Sequence, residues 1–364
     1  MPVTWQQVVG DYQPKIMTQL AGGAAPDAFY VRDTMMAPLI ASGKMEPLDE
    51  FLASGDAPVK VDDFHPALFQ WMKSEDGKLY GLPVDCNPIV IWFNKGMLEK
   101  AGVAADPAAA FAAGAWTQAA LDDMLAKLKA VGTRGMILEA GWRDFSSFIT
   151  SLGGTAFDPD TGKCVWDTDP KAQEVLAWIF DHFEAKTMMY GGSLPQGQGV
   201  EQLFYSGQLA MVQKGRWILP NLKKLKNLQY DIAPFPSEDG KSITPVAVAT
   251  AGMSVQKEAE DLQATLMFMG RYVNVEGQKF RLSGGGNAVP STKGLEDLVL
   301  EDNDPPNAKV FNEAVAVGYA VPQVIARNSQ VSTNLQPTMD ALIKEGVDSK
   351  TFASKISSYI NGGS

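Results

Sequence analysis

Carboxylates are the side chains in this sequence with the clearest capacity for acid–base chemistry. The chain holds 42 Asp and Glu residues, and glycoside hydrolysis needs only a pair of them flanking the scissile bond. Because the separation that matters is spatial, a carboxylate-pair glycoside hydrolase stays open as an alternative. His65 and His182 lie far apart in the chain, without an HExxH motif or a neighbouring Cys/His cluster, so no catalytic metal site is expected.

Other catalytic signatures are absent from the sequence. There is no GxSxG elbow, and the GKS at 240–242 lacks the upstream glycine that a phosphate loop requires. The GQGVEQ at 197–202 lacks the third glycine of a dinucleotide fingerprint, and no cofactor is expected. Cys86 and Cys164 match no metal or haem spacing, and we interpret them as two buried thiols rather than a disulfide. These exclusions favour a binding protein over an enzyme.

The composition is that of an ordinary globular protein with an acidic surface. Of 364 residues, 45% are hydrophobic and 20% are charged, and the formal net charge is −11. No basic block could follow a phosphate backbone, so neither nucleic acid nor an anionic membrane surface is an expected partner. No apolar run is long enough for a membrane span, and no basic-then-apolar leader follows Met1, which predicts a mature or trimmed start. The length favours two domains.

Hydrophobic periodicity predicts the elements that would position functional residues. Apolar residues recur at helical spacing after capping residues, and we assign these stripes to the core. The stripes comprise Leu121, Met124, Leu125 and Leu128; Val175, Leu176, Ile179, Phe180 and Phe183; and Leu262, Leu266, Met269 and Val273. Short apolar runs predict strands at 89–93, 209–212, 230–233 and 246–249. Strands alternating with helices predict an α/β architecture with mostly parallel sheets.

Motifs in order along nearly the whole chain resemble those of one family. They are DYQPKIMTQLAGGAAPDAFYV, GKMEPLDEFL, DGKLYGLPVDCNPIVIWFNKGMLEKAGV, AWTQAALDDMLAKL, FYSGQLAMVQKGRW and YDIAPFP. Each motif alone is modest, but their order and spacing together are specific. The sequence resembles the extracellular solute-binding proteins of carbohydrate ABC transporters, the group that includes maltose-binding protein.

The resemblance implies a two-lobed periplasmic-binding-protein fold, type II-like, with mostly parallel sheets flanked by helices and joined by a multi-strand hinge. It divides the chain into a first lobe of residues 1–88 and 245–285 and a second lobe of residues 89–244 and 286–364. It further implies clamshell closure on a small carbohydrate and delivery to the membrane permease of an ABC importer. A monomer in the periplasm, or an extracellular lipoprotein, is expected, with a signal sequence that this chain does not show.

One part of the family pattern is missing at the start of the chain. In the family a strand, a helix and a second strand precede the helix that ends in AGG, residues 21–23 here. Residues 1–5 alone could retain part of that second strand, so the resemblance predicts a first lobe without its N-terminal unit. The absence would leave a strand edge unpaired. A truncated or split binding protein, used as a scaffold or sensor, is therefore a further alternative.

The resemblance places candidate ligand contacts in both lobes and at the hinge. A sugar needs planar polar groups for its hydroxyls and an aromatic face for its C–H surfaces. The positions that match family contacts are Asp33, Asp85, Asn87, Trp142, Arg143, Gly215, Arg216, Trp217, Gly252, Arg327 and Asn328. Trp142 and Trp217 would offer stacking faces, and Gly252 would let the backbone approach the sugar.

These positions also have purely structural interpretations. An acid at a strand end can cap a helix, Trp142 can be packed in the core, and Trp217 can anchor a helix to the sheet. Arg143, Arg216 and Arg327 admit an anionic ligand, such as a sugar acid, a sulfonated sugar or a glycerol phosphate, unless they serve ion pairs. The sequence therefore leaves the ligand as either a neutral or an anionic carbohydrate.

Overall fold

The computed structural model describes residues 3–8 and 12–362. The strands are β1 (Ala28–Arg32), β2 (Leu82–Pro88), β3 (Val90–Asn94), β4 (Met136–Leu138), β5 (Met188–Tyr190), β6 (Met211–Lys214), β7 (Tyr230–Ala233), β8 (Val248–Val255) and β9 (Val289–Pro290). The α-helices are α1 (Gln13–Ala21), α2 (Asp33–Ala41), α3 (Asp49–Ala53), α4 (Lys95–Lys100), α5 (Pro107–Ala112), α6 (Gln118–Ala130), α7 (Trp142–Ser151), α8 (Pro170–Glu184), α9 (Val200–Tyr205), α10 (Leu219–Leu222), α11 (Leu262–Val273), α12 (Val275–Leu282), α13 (Lys309–Val317), α14 (Gln323–Ala326), α15 (Ser329–Glu345) and α16 (Ser349–Gly362). Short 3₁₀ helices lie at Val61–Asp63, Pro66–Met72, Gly191–Ser193, Arg216–Ile218, Glu296–Val299 and Glu301–Asn303.

Each of the two lobes is built on its own sheet. The first sheet has the strand order β1-β8-β2-β9, and all of its pairings are antiparallel. The second sheet has the order β5-β4-β6-β3-β7, in which β4 runs parallel to β5 and β6 while β3 runs antiparallel to β6 and β7. Helices flank both sheets, which confirms the predicted two-lobed α/β fold.

The expectation of mostly parallel sheets needs correction. Among the described residues, the strands that pair in parallel are β4 with β5 and β4 with β6, and the isolated bridge of Ala247 with Tyr319 is also parallel. β2 runs on through Ile89 into β3, so the chain that leaves the first sheet enters the second against the direction of β6. Two consecutive strands that lie parallel in a sheet need a crossover connection between them, usually a helix. A strand that crosses a hinge directly has no such connection.

Several chain segments pass between the lobes at the hinge. Pro88 ends β2 and Val90 begins β3, while Ala247, just ahead of β8, bridges to Tyr319. β9 pairs with β2 in the first sheet, although the sequence assigns residues from 286 onward to the second lobe. That segment therefore stays with the first lobe through β9, and the other lobe boundaries remain a prediction.

The start of the chain contributes aromatic packing but no strand within its described part. Residues 1 and 2 lie outside the described residues, and residues 3–8 form neither helix nor strand. The Trp5 ring lies 6.1 Å from the rings of both Tyr30 and Tyr272. β1 stands at one end of the first sheet's strand order.

Predicted core stripes and helix starts are confirmed. Phe180, Phe183 and Leu262 are partly buried, and the other stripe residues are buried. Thr117 caps α6 and Asp169 caps α8, each accepting a hydrogen bond from the third residue after it. The capping side chains thus satisfy backbone donors that the first helical turn leaves free.

Both cysteines are free and buried, as the sequence interpretation expects. The Cys86 thiol donates to the carbonyl oxygen of Pro290 at 3.1 Å, and burial raises the pKa of Cys164 to about 11. Neither is therefore poised as a nucleophile at neutral pH. Within the described residues, no helix combines the length and the hydropathy that crossing a membrane requires.

The C-terminal helices connect the two lobes. α15 packs against α16 and against α2, which follows β1 of the first sheet. α16 packs against α8, which in turn contacts β5 of the second sheet. This bridge brings the segment between α14 and α15 next to both lobes.

Ser147 and Ser146 provide a matched test of the hinge packing. Ser147 Oγ accepts from the buried backbone N–H of Ala247 at 3.0 Å, whereas Ser146 Oγ has no partner among the described residues. We expect Ser147→Ala to lower the free energy of unfolding by about 1–3 kcal/mol, because it leaves a buried donor unpaired. Urea denaturation should show a clearly smaller loss for Ser146→Ala, and equal losses would contradict the assignment.

Candidate functional site

An ion pair between Asp33 and Arg143 joins the two lobes. Asp33 is the first residue of α2 in the first lobe, and Arg143 lies in the first turn of α7 in the second. One Asp33 carboxylate oxygen contacts Arg143 Nη2, and the other accepts from the Thr34 backbone N–H at 2.8 Å. The Asp33 side chain is 5% exposed and that of Arg143 is 27% exposed, so the pair is shielded from water on one side and reachable on the other.

Trp142, beside this pair, is packed rather than presented to solvent. Its ring is 4% exposed and meets Phe157 edge-on at 5.9 Å and Tyr319 at 6.5 Å. The Arg143 guanidinium carbon lies 4.9 Å from the Trp142 ring centroid. The arrangement corresponds to the packed alternative that the sequence left open, and the indole supports Arg143 through a cation–π contact.

The turn that follows β6 carries the other candidate aromatic. A Cβ atom on Gly215 would lie 2.1 Å from Trp217 Cζ3 and 2.7 Å from Asn87 Cβ, so the indole folds back over a position that has no room for a side chain. The Trp217 Nε1–H donates to Glu201 Oε1 at 2.9 Å. Trp217 is half-buried, which leaves part of its surface accessible.

A buried lysine holds two carboxylates next to this turn. Lys214 Nζ lies 2.8 Å from Glu139 Oε1 and 3.3 Å from Glu201 Oε1. The lysine side chain is 6% exposed, against 38% for Glu139 and 27% for Glu201. The ammonium is thus neutralised from two sides, and each carboxylate retains an accessible part. Sequence reasoning missed all three residues; the available signal was a lysine at the end of a buried strand, immediately before the predicted Gly215.

Asp144 links this carboxylate cluster to the ion pair between the lobes. It follows Arg143 in α7, is buried, and accepts from the Glu139 backbone N–H at 2.8 Å. Burial, and then the negative charge of Glu139, raise the pKa of Asp144 to about 7, although Lys214 and Arg143 act in the opposite direction. Asp144 thus stands next in the chain to the Arg143 of the ion pair and is bonded to the backbone of Glu139. We refer to Asp33, Arg143, Asp144, Glu139, Lys214, Glu201 and Trp217 together as the cleft network.

Asn87 lies at the edge of the cleft network, and the neighbouring Arg216 points away from it. Asn87 Oδ1 accepts from the Arg216 backbone N–H at 3.1 Å. The Arg216 side chain is fully buried and donates from Nη1 to the carbonyls of Gly286 (2.6 Å) and Ala288 (3.0 Å). Its guanidinium therefore contacts backbone, not the cleft.

Asp85 and Gly252 lie elsewhere in the first lobe. Asp85 Oδ1 accepts from Arg281 Nη1 at 2.7 Å, and burial raises the pKa of Asp85 despite this partner. A Cβ on Gly252 would lie 2.7 Å from Met72 Cε and 3.2 Å from Val31 Cγ2. Both positions are thus occupied by internal packing, and neither contacts the cleft network through a recorded bond.

Arg327 and Asn328 border a separate groove of about 840 Å³ near Trp142. Phe157, which contacts Trp142, lines the same groove together with Glu75 of the first lobe. Asn328 caps α15 through hydrogen bonds from Gln330 N and Val331 N, whereas the Arg327 side chain makes no hydrogen bond or ion pair with the described residues. Of the predicted contacts, Asp33, Arg143 and Trp217 belong to the cleft network, Asn87 and Gly215 adjoin it, and Arg327 and Asn328 border this groove. Asp85, Gly252 and the Arg216 side chain lie outside both regions.

The chain matches the family model described as bacterial extracellular solute-binding protein over residues 2–278. Proteins of Brucella abortus and Brucella suis named as binding proteins are 22% identical over 233 residues, covering 61% of this chain and 52% of theirs. The matched region thus spans about half the length of these relatives.

Solved structures with the same fold come from several bacteria. The ABC substrate-binding protein Lmo0181 of Listeria monocytogenes, in complex with cycloalternan, superposes with a TM-score of 0.81 at 20% identity, covering 97% of this chain and 88% of that one. UgpB of Mycobacterium tuberculosis, in complex with glycerophosphocholine, gives a TM-score of 0.76 at 16% identity, covering 96% of this chain and 87% of that one. At these identities the comparison establishes the fold.

Asp144 predicts a specific pH dependence of stability. Its folded-state pKa of about 7 lies above the usual value of about 3.9, so its contribution is complete below about pH 4 and is lost as the pH rises through about 7. We expect the free energy of unfolding to fall by about 2 kcal/mol more in the parent protein than in Asp144→Asn between roughly pH 5 and pH 8.

Urea denaturation at several pH values measures this difference. Asp181→Asn, on the exposed face of α8, is the matched control and should follow the parent curve. Parallel curves for the parent and Asp144→Asn would contradict the assignment.

Proposed function

The chain belongs to the bacterial extracellular solute-binding protein family, and from that premise we propose that it is the substrate-binding receptor of an ABC importer. In this proposal a sugar or sugar derivative binds between the two lobes and stabilises their closed arrangement. The observation that carries it is the ion pair of Asp33 and Arg143, which joins the two lobes, together with the half-buried Trp217, whose indole donates to Glu201. A ligand seated there would contact both lobes at once.

The cleft network contains the groups that a sugar needs. The accessible part of the Trp217 ring would stack on the C–H face of a pyranose. Glu139 and Glu201, each held at one oxygen by Lys214, would accept hydroxyl donors with their remaining lone pairs. Arg143 would donate to hydroxyl oxygens, and Asn87 would orient the turn that carries Trp217.

We propose that the ligand is a neutral carbohydrate. Arg143 is paired with Asp33, and the Arg216 guanidinium donates its recorded hydrogen bonds to backbone carbonyls. The accessible carboxylates of Glu139 and Glu201 would oppose a second negative charge. The anionic ligand that the sequence also admits would have to displace Asp33 from Arg143 or bind at Arg327. The structures of similar fold hold different ligands, cycloalternan in one and glycerophosphocholine in another.

The groove next to Trp142 supports a ligand of more than one sugar unit. Its volume of about 840 Å³ falls in the range of cavities that hold drug-sized molecules. Phe157 and Glu75 come from different lobes, so closure would reshape the groove. An oligosaccharide whose first ring occupies the cleft network would place further rings here.

The remaining parts of the proposal follow from family membership. The receptor would act as a monomer in the periplasm or at the cell surface and would deliver its ligand to a membrane permease without chemical change. Glu139 and Glu201 share one ammonium ion, an arrangement suited to holding hydroxyls. A glycoside hydrolase remains the competing function, and turnover of an aryl glycoside would reveal it.

Trp217→Ala tests the ligand site. Titration with maltose, maltotriose, glucuronate and sn-glycerol 3-phosphate, followed by calorimetry and by the melting midpoint, should show saturable binding of a neutral saccharide, since a ligand of the native state raises its stability. We expect Trp217→Ala to weaken that binding by about tenfold or more, because the stacking surface is lost.

Trp178→Ala is the matched control for this experiment. The Trp178 Nε1–H also donates to a carboxylate, Asp122 Oδ1 at 2.9 Å, but it lies on α8 outside the cleft network. Equal loss of affinity in both variants would assign the effect to general destabilisation. Turnover of an aryl glycoside without saturable binding would replace the receptor with the hydrolase.

Asp33→Asn tests closure. The asparagine amide keeps an oxygen that can accept from the Thr34 N–H, but it lacks the negative charge that holds Arg143. The closed arrangement should therefore become less populated. The apparent affinity for ligand should fall by the same fraction. Small-angle scattering without ligand should give a larger radius of gyration than for the parent. In the scattering experiment without ligand, Arg143→Gln should behave like Asp33→Asn, and combining the two should add little. Additive changes in the radius of gyration would show that the pair does not act as a unit.

A further inference from the structure

Arg216 is a buried guanidinium whose recorded partners are backbone carbonyls. Its side chain is fully buried, and within the described part of the chain it forms no ion pair. Nη1 donates to Gly286 O at 2.6 Å and to Ala288 O at 3.0 Å, while Nε and Nη2 have no partner among the described residues. Burial lowers the pKa of Arg216 to about 10, although Glu301 and Asp304 attract its charge.

Burying a cation in this way costs stability. Methionine or leucine would fill similar volume without that cost. The benefit of Arg216 must therefore lie in the segments that its hydrogen bonds join, and these segments meet at the hinge.

Arg216 joins the turn after β6 to two segments of the first lobe. Its backbone N–H is bound by Asn87 Oδ1 at the end of β2. Its guanidinium holds Gly286 and Ala288, which lead directly into β9 of the first sheet. The Cys86 thiol also binds this segment, through a hydrogen bond to Pro290 O at 3.1 Å.

We propose that Arg216 is a positioning residue for Trp217, an inference that rests on the proposed function. By tying the turn to the first lobe at the hinge axis, Arg216 keeps the indole over Gly215 with Nε1 at Glu201 before any ligand arrives. Preorganising an aromatic contact reduces the ordering cost of binding. The sequence pattern suggested Arg216 as a ligand contact. In the structure it would instead support the neighbouring Trp217.

Two substitutions of Arg216 and one matched control test this role. Arg216→Met removes both carbonyl contacts, and Arg216→Lys keeps a positive charge and donors for one of them. Arg281→Met is the control, because the Arg281 side chain is only 15% exposed and also binds a backbone carbonyl, Val84 O at 2.8 Å, but lies away from the turn. Each variant is compared in the presence and absence of Trp217→Phe, so that the difference reports the Trp217 fluorescence alone.

The primary readout needs no ligand. In Arg216→Met we expect acrylamide to quench Trp217 about twofold more strongly than in the parent, with an intermediate value in Arg216→Lys, because the indole leaves its place over Gly215. Arg281→Met should lower the melting midpoint without changing Trp217 quenching. If Arg216→Met does not fold, Arg216→Lys alone decides. Unchanged Trp217 quenching in the folded variants would overturn the proposal.

Ligand affinity provides the second readout. With a saccharide that the parent binds, Arg216→Met should cost about tenfold in affinity, but only a small factor when Trp217 is already alanine, because both changes remove the same contact. Equal losses in the two backgrounds would overturn the proposal. If no saccharide binds the parent, the proposed function fails, while the quenching comparison still decides the role of Arg216.

Discussion

One buried strand that serves two sheets constrains the whole molecule. Residues 82–94 pair in the first sheet as β2 and in the second as β3, and all of them are buried. A strand with both faces covered cannot direct polar side chains into water, so each must find a partner inside the protein. Asp85 pairs with Arg281, Asn87 receives a backbone N–H, and Asn94 caps the following helix.

This requirement decides which charges are left for a ligand. Arg281 binds Asp85 and a backbone carbonyl of the first lobe, and Arg216 binds two backbone carbonyls near the hinge. The recorded hydrogen bonds of both guanidinium groups are therefore made outside the cleft. Arg143 remains, and it is held between the lobes by Asp33. Lys214 is present but shared by two carboxylates. The cleft network consequently holds more carboxylates than cations, with spare hydrogen-bonding capacity, which matches the hydroxyl-rich edge of a neutral sugar better than a phosphate or a carboxylate.

Local patterns made much of the fold predictable. The helix that leads into residues 21–23 appears as α1, the predicted strand at 230–233 is β7, and the stripe at 121–128 is buried in α6, because periodicity and capping act within a few residues. The antiparallel course of β3 and the contacts of Lys214 with Glu139 and Glu201 depend on segments far apart in the chain. Hydrophobic periodicity carries no information about contacts between distant segments, so the candidate site was only partly predictable. Asp33, Asn87, Arg143 and Trp217 were found through family resemblance; their lysine and glutamate neighbours were not.

The order of two residues explains why the two predicted tryptophans differ. Gly141-Trp142-Arg143 and Gly215-Arg216-Trp217 each begin a helix after a strand of the second sheet. In both, the residue after glycine is buried and the next is partly exposed. Successive residues of a helix point in different directions, and in each of these two starts the first residue faces the core while the second is partly exposed. Trp142 is therefore packed and frees Arg143 to reach the other lobe, whereas Arg216 is packed and frees Trp217. The cleft thus receives one cation and one aromatic surface from two helix starts that follow a glycine.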